Sequence, residues 1–515
     1  MDDKKKRLEI TGRLLTRNWI LNLAGQVLPL FVALPAMPYV IRGLGTERFG
    51  ILSIAWVLLS YTTALDLGLG RATTKFAAEY LGRGEHDKLS GIVWTSVWAQ
   101  VILGSIGAIL AAAATPLVVD RLLKISVSLQ HETKISFFIL ASSLPVVLIG
   151  NVFRGLLEAG QRFDLVNYVR IPANASIFLL PATALPLRIG LPGIVLLLTL
   201  ARFGASLAYL VFCLKQYPTL RGEKSGDRNA IRTLLVYGGW VTVSNAVSPL
   251  MMYLDRFFIG SMISVAAVGY YTAPYEAINR ATVLPGSLTA TIFPAFSSLD
   301  ASGFQQRLDE LCVRSLKSLL LALGPILLLV IFFAREILNV WLGPEFAANG
   351  TLVLQLLAVG VLVNALAFVP LGLLHGLGRP DLSAKIHLLE LPLYIAMLTY
   401  LLRHMGIAGA ALAWTVRVSV DAVLLYGAVL WLKLVSAGSL IGNGLLKSVA
   451  VISAFGMLLG IPCLVGESAG VRSVLASIAT LTFGFVAWTH LLDSKDRNLI
   501  VSATGQLRAA FARAK

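Results

Sequence analysis

Charge is what this chain has least of: 14% of its 515 residues are charged, 57% are hydrophobic, and the mean hydropathy is +0.79. That is too little polar surface to cover a soluble globule of this size, so the chain belongs in lipid. Cysteine is also rare. Cys213, Cys312 and Cys463 are odd in number and far apart, which excludes a disulfide framework and a metal cluster and leaves them as packing residues. There is no HExxH and no phosphate-cradling GxxxxGK motif. The stretch "DLGLGRAT" has two glycines of a GxGxxG pattern but ends an apolar run instead of following a strand. ATP hydrolysis is therefore not expected. The longest polar stretches, near 215–232 and 493–515, are too short to fold as a soluble catalytic domain. No long outside loop exists to hold the active site of a membrane glycosyltransferase or a sugar-repeat polymerase. The chain reads as a non-enzyme.

What is present is a series of apolar runs of about twenty residues, each long enough to cross a bilayer as helix. Fourteen spans are expected, at 19–41, 49–70, 90–119, 134–157, 166–187, 191–214, 234–259, 267–296, 315–334, 351–376, 384–402, 407–432, 445–465 and 471–492. Continuous apolarity, without the alternation of barrel strands, makes them helices. The run after "KKKR" is long and carries Asn22, Gln26, Pro29 and Pro35, so it reads as a retained span and not as a signal peptide. Lys and Arg gather in the alternate loops on the side of the N-terminal "KKKR", which places both termini in the cytoplasm. The same distribution accounts for the net charge of +16 with anionic lipid as the partner, and excludes nucleic acid as one.

The chain also repeats itself. "GLLEAGQRFD" at 155–164 and "GLLHGLGRPD" at 372–381 share five of ten positions at an offset of 217, after the fourth and the tenth span. Trp19 and Pro29 echo in Trp240 and Pro249, Gly50 in Gly269, and Arg202 in Arg417. Each unit holds six spans, an even number, so its copy re-enters the membrane in the same orientation. Three segments follow: an N-terminal lobe over 1–230, a C-terminal lobe over 231–433, and 434–515 with two extra helices and a basic cytoplasmic tail. Two such lobes facing one another leave a cleft that rocking exposes to either side, the design of a transporter. The "GLLxxxxRxD" loops read as turn and anchoring elements.

Charges inside the spans mark that cleft, because each costs roughly 2.5–3.5 kcal/mol at mid-membrane. The cations are Arg170, Arg202, Arg256, Arg280 and Arg417; the acids are Asp66, Asp255, Glu276, Glu390 and Asp421. Glu276 with Arg280, and Arg417 with Asp421, stand four apart and can neutralise one another on a helix face. Adjacent Asp255 and Arg256 point about 100° apart and are expected to find different partners. Arg202 matches Arg417 but has Ser206, not an acid, four residues on. Two roles fit Arg202 and Arg170: a bidentate grip on phosphate or carboxylate oxygens, or snorkelling and pairing with Glu390 or Asp255 across the cleft. Two also fit Glu390, one turn after His387: coupling to H⁺ or Na⁺, or a plain interhelical hydrogen bond. Asp255 and Asp66 are further coupling candidates, and no other cofactor is expected. Polar Asn22, Gln26, Asn174, Asn245 and Asn364, with Pro29, Pro249 and Pro285, make the first and seventh spans the expected flexible, cleft-lining helices.

With "LDLGLG" ending the second span, "DRFFIG" ending the seventh and "VGYY" opening the eighth, besides the duplicated "GLLxxxxRxD", the chain resembles a known family. It is the polysaccharide transporter branch of the multidrug/oligosaccharidyl-lipid/polysaccharide (MOP) flippase superfamily, the O-antigen (Wzx-type) flippases. The resemblance spans essentially the whole chain and implies an all-α, MATE-like integral membrane protein. It also implies flipping of undecaprenyl-pyrophosphate-linked oligosaccharide across the bacterial cytoplasmic (inner) membrane, beside a polysaccharide polymerase and a chain-length regulator. Similar proteins engage the pyrophosphate with intramembrane arginines; by role, Arg202 comes first here, then Arg170 and Arg256, with Arg417 and Arg280 after them. The alternatives are a cation-coupled multidrug antiporter of the same superfamily and a peptidoglycan lipid II flippase. The arginine cluster expected of the latter is not evident, since Arg42 and Arg48 fall in an outside loop.

Overall fold

In the computed structural model, the described residues are 28–60 (save 30), 69–222, 251–289 (save 252), 305–440 (save 378), 442–464 and 469–492, with Asp66, Ile292 and Arg497. They are almost entirely helical, and no strand occurs among them. Eight of their helices are long and apolar enough to cross a membrane. Trp19, Asn22, Gln26, Trp240, Asn245 and Pro249 lie outside the described residues, so the proposed character of the first and seventh spans rests on sequence there.

The chain divides into two compact units, Met1–Ala277 with His387–Ala413, and Ile278–Ile386 with Trp414–Lys515. In the first unit, the helices are α1 (Phe31–Leu44), α2 (Thr46–Ser60), α3 (Leu69–Arg83), α4 (His86–Leu117), α5 (Val127–Ala159), α6 (Phe163–Ala184), α7 (Leu191–Gln216), α8 (253–262) and α9 (Val265–Asn279). Helix α5 is the axis of this bundle, packing on α3, α4 and α7. Lipid tails are as apolar as leucine, so close fit and not water exclusion holds such helices together. Gly150 of α5 supplies that fit: a Cβ there would lie 2.3 Å from the Ser206 Oγ of α7. Val152, Phe153, Leu156 and Leu157 fill the remaining contact, and Cys213, a packing residue as expected, joins the same core.

The ends of α5 are tied by polar groups. At its start, Glu132 receives Arg48 Nη2 at 3.1 Å and the Leu191 amide at 2.9 Å, drawing the beginnings of α2, α5 and α7 together. At its finish, the chain turns through Gln161 (φ 57°) into α6, and Trp94 of α4 donates to the Leu220 carbonyl at 3.1 Å.

The second unit comprises α10 (283–289), α11 (Gln305–Phe332), α12 (Ala334–Trp341), α13 (Pro344–Gly376), α15 (Ala437–Leu440), α16 (Asn443–Leu464) and α17 (Ala469–Val486), with parts of α14. Helix α14 (Pro380–Trp431) belongs to both units and breaks at Gly406 (φ 58°, ψ −143°), a conformation that only glycine adopts without strain. The break falls between the expected eleventh and twelfth spans. Helix α11 packs on α13 and α16, and the Tyr426 hydroxyl donates to the Leu366 carbonyl at 3.0 Å.

Each unit contains one copy of the repeated loop, in the same local form. Arg162 (φ −88°, ψ 53°) precedes α6, and its amide returns to the Leu157 carbonyl at 2.9 Å. Arg379 (φ −112°, ψ 46°) precedes α14, with its amide on the Leu374 carbonyl at 2.8 Å. Arg162 grips Asp164 through two nitrogens, each at 3.0 Å, and Arg379 reaches Asp381 at 3.1 and 3.5 Å. The echoed letters thus encode an echoed helix–turn–helix joint, in which the Arg clamps an acid in the first turn of the next helix, where the helix dipole favours it.

Candidate substrate and coupling site

The densest buried polar cluster among the predicted residues of the first unit is built on "DRFFIG" and "VGYY". Asp255 and Arg256 of α8 are buried side by side and do find different partners. The Tyr271 hydroxyl of α9 donates to Asp255 Oδ2, and Asp255 Oδ1 accepts the Arg256 amide at 2.7 Å. Arg256 Nη2 donates to Glu276 Oε1 at 2.9 Å, and its guanidinium lies 4.7 and 5.2 Å from the ring centres of Tyr275 and Tyr253. Tyr271 and Tyr275, one turn apart, stack at 5.9 Å. The guanidinium therefore sits between a carboxylate and two aromatic faces, each of which favours its charge. Glu276, expected to balance Arg280 on its own helix, also reaches across to Arg256 on the neighbouring helix.

Glu390 is buried on the first half of α14, as expected of a mid-span acid, and Tyr394 follows one turn later, also buried and electrostatically close to Tyr271. Two acids, Asp255 and Glu276, stand with Arg256 in a buried cluster with Tyr253, Tyr271 and Tyr275. Sequence reading missed these tyrosines, although "GYYTAPYE" carried the signal: hydroxyls at a spacing of four on a helix that also bears Glu276.

A second polar region lies between α5, α6 and α7. Arg202 is half-buried on α7 and has no hydrogen bond or ion pair among the described residues. Arg170, half-buried on α6, donates to Asn167 Oδ1 at 2.5 Å and is electrostatically close to Tyr209, Glu158 and Arg154. Arg154, which pairs with Glu158 at 3.6 Å, was not singled out by sequence because it stands at the end of its span. From the helix rise, Arg202 is about 20 Å and Arg170 about 10 Å from the end of the bundle that carries Arg162. The arginines thus step inward from that end.

The remaining candidates have other settings. Asp66 accepts the Gly70 amide at 2.9 Å, capping the start of α3, and also receives Gln100. That is a helix-capping geometry. Arg280 lies in the tight turn after α9 (Arg280–Thr282), half-buried. On the second half of α14, Asp421 is buried and Arg417 half-buried one turn before it. Arg48 is held by Glu132, and Arg42 is exposed. Among the described residues, no three His, Cys, Asp or Glu side chains come together as metal ligands would.

A helical bundle with spans of this kind and with charged groups buried inside it defines a multi-pass membrane protein. An inward-facing multidrug resistance MATE family transporter superposes with a TM-score of 0.67 at 15% identity, covering 84% of this chain and 97% of that one. The lipid II flippase MurJ in an inward closed conformation gives 0.66 at 14%, covering 95% and 99%. Within this fold, the model of the family described as "Polysaccharide biosynthesis protein" matches residues 15–300, and the chain belongs to that family. It is 29% identical over 420 residues to a putative O-antigen transporter of Shigella flexneri, covering 79% of this chain and 96% of the relative. It is 24% identical over 398 residues to a probable low-salt glycan biosynthesis flippase of Haloferax volcanii, covering 74% and 76%.

Proposed function

We propose that this protein is a flippase that moves a lipid-linked oligosaccharide, with an anionic polyprenyl-pyrophosphate carrier, across the bacterial cytoplasmic membrane for polysaccharide biosynthesis. The observation that carries the reading is the likeness to a putative O-antigen transporter along 96% of that protein's length. The site chemistry agrees with it. An arginine with no hydrogen bond or ion pair among the described residues, Arg202 at mid-span, suits a phosphate that arrives and leaves, and Arg170 and Arg154 lie on the way to it from one end of the bundle. A drug-cation antiporter would be expected to offer acids and aromatics at that place.

In this reading both termini are cytoplasmic, 1–230 and 231–433 are the two lobes that rock, and 434–515 is appended to them. Membrane lipids surround it, and a polymerase and chain-length regulator act on its product. Arg202 and Arg170 grip the diphosphate, with Arg417 as the counterpart of Arg202 in the second repeat and Arg280 as a further cation there. Arg256 is bound up with Glu276 and supports the coupling machinery. Asp255 and Glu390 are the acids that H⁺ or Na⁺ would neutralise, and Tyr271 supplies the hydroxyl that replaces water around Asp255. Asp66 positions α3.

The test is the leaflet distribution of a lipid-linked glycan in cells depleted of the protein and complemented with wild type, Arg202→Ala or Arg202→Lys. Glycan trapped on the cytoplasmic side under depletion, and partial rescue by Lys but not Ala, would bear the reading out. Normal export in the Ala variant would remove Arg202 from the mechanism.

A further inference from the structure

The two repeats meet at one point where neither has a side chain. Gly50 is the fifth residue of α2 and Gly269 the fifth of α9, equivalent positions in the two copies. A Cβ on Gly50 would fall 1.9 Å from the Val265 carbonyl oxygen; a Cβ on Gly269 would fall 3.0 Å from the Thr46 carbonyl oxygen. Thr46 precedes Gly50 by four residues, and Val265 precedes Gly269 by four. The contact is therefore reciprocal: each glycine receives the first-turn carbonyl of the other helix, as in an isologous twofold interface. A local twofold relation between the repeats passes through this crossing. A tandem copy explains why two glycines would be placed this way.

The crossing lies at one end of the bundle. Ser126, at the start of α5, gives its amide to Glu47 Oε1 at 2.8 Å, so this is the end opposite the Arg162 loop, about 50 Å away along α5. It is strapped from the side by Lys124. That residue's amide donates to the Gly260 carbonyl at 3.0 Å, its carbonyl accepts the Val265 amide at 3.4 Å, and its Nζ reaches the Met262 carbonyl at 2.5 Å. Directly inward, three residues beyond each glycine, Ser53 and Thr272 are fully buried, again at equivalent positions.

We propose that the Gly50–Gly269 crossing, with its Lys124 strap, is the outer closure of the transport path: a seal made jointly by both repeats on bare backbone. Backbones that touch at two glycines, flanked by the Val265 and Phe49 side chains, make a tight barrier, and parting them forfeits mainly weak C–H···O and dispersion terms. Opening requires the strap's three hydrogen bonds to break, and Ser53 and Thr272 are the first hydroxyls uncovered. The outward direction rests on the orientation proposed above; the closure itself does not depend on what is transported.

Two experiments test it in a cysteine-free background. Thr272→Cys is placed below the crossing and labelled on whole cells with a membrane-impermeant maleimide, with and without Gly50→Leu. The wedge should raise the labelling rate at least tenfold; an unchanged rate in protein that elutes as a single wild-type-like peak would overturn the proposal. Lys124→Cys with Met262→Cys, joined by a short reducible bifunctional maleimide on the native glycines, should hold Thr272→Cys unlabelled and stop export until reduced. A joined protein that still exports, or still labels, would contradict the closure, and this arm decides if Gly50→Leu does not accumulate. Labelling needs no substrate, so a result that follows the expectation in cells whose glycan export is independent of the protein would retain the closure and reject the proposed cargo.

Discussion

Arg256 donates to Glu276 at 2.9 Å from a position 2% exposed, and the pair joins α8 to α9 in the interior of the first unit. Removing one member leaves the other charged and buried, which typically costs 3–5 kcal/mol, whereas replacing both by apolar residues of similar volume is often neutral. Arg256→Met and Glu276→Met singly should each lower the yield of folded protein sharply in detergent. The double variant should recover most of it, as read by thermal unfolding. If the two single losses simply add, the pair is not the unit described.

Arg202 behaves in the opposite way. With no partner among the described residues, its loss breaks no hydrogen bond or ion pair there, so Arg202→Ala should leave the unfolding temperature within about 1–2 °C of wild type. Export should nevertheless fall roughly 10- to 100-fold, the worth of one charge-assisted grip. Stability and transport measured on the same preparation separate this from a folding defect.

Glu132 holds three elements at once through Arg48 and the Leu191 amide. Glu132→Ala should destabilise by about 1–3 kcal/mol, since it strands a backbone donor as well as a guanidinium. Glu132→Gln, which still accepts, should lose less. Equal losses in the two would place the effect in packing, not in hydrogen bonding.

The Arg162–Asp164 joint makes a pH prediction. Arg162 beside it holds the Asp164 carboxyl below the usual carboxylate range. A depressed folded-state value means that the contribution is fully present above the unfolded value near 3.9 and disappears only as pH falls through the folded one. Stability differences between wild type and Asp164→Asn should therefore be constant from pH 5 to 8 and shrink below about pH 4. Both side chains are about one-third exposed, so the difference should be within about 1 kcal/mol. A midpoint near neutrality would contradict the assignment.

Much of this was legible because lipid simplifies the code. Apolar length located the spans: the expected 134–157 and 191–214 are the inner parts of α5 and α7. Sequence also placed the boundary between the eleventh and twelfth spans at 403–406, where the chain leaves helical geometry at Gly406. The amphipathic α3 was absorbed into an apparent polar loop, since its "ATTKFAAEYL" face is half polar. Repetition found the Arg162 and Arg379 joints from five shared letters. Partner choice was harder: spacing suggested Glu276 with Arg280, whereas the bond of Glu276 to Arg256 joins two helices, which no local spacing encodes. The Gly50–Gly269 echo was visible as letters, whereas their meeting is a tertiary fact.

The account's central claim is that the protein itself carries a lipid-linked glycan between leaflets. The direct measurement is reconstitution of purified protein in liposomes bearing a fluorescent polyprenyl-pyrophosphate oligosaccharide, followed by quenching of the outer leaflet with an impermeant reductant. Wild-type protein should expose nearly all of the label, while empty liposomes and the Arg202→Ala variant should leave the inner-leaflet half protected. Equal protection with wild-type protein and with none, under both H⁺ and Na⁺ gradients, would contradict it.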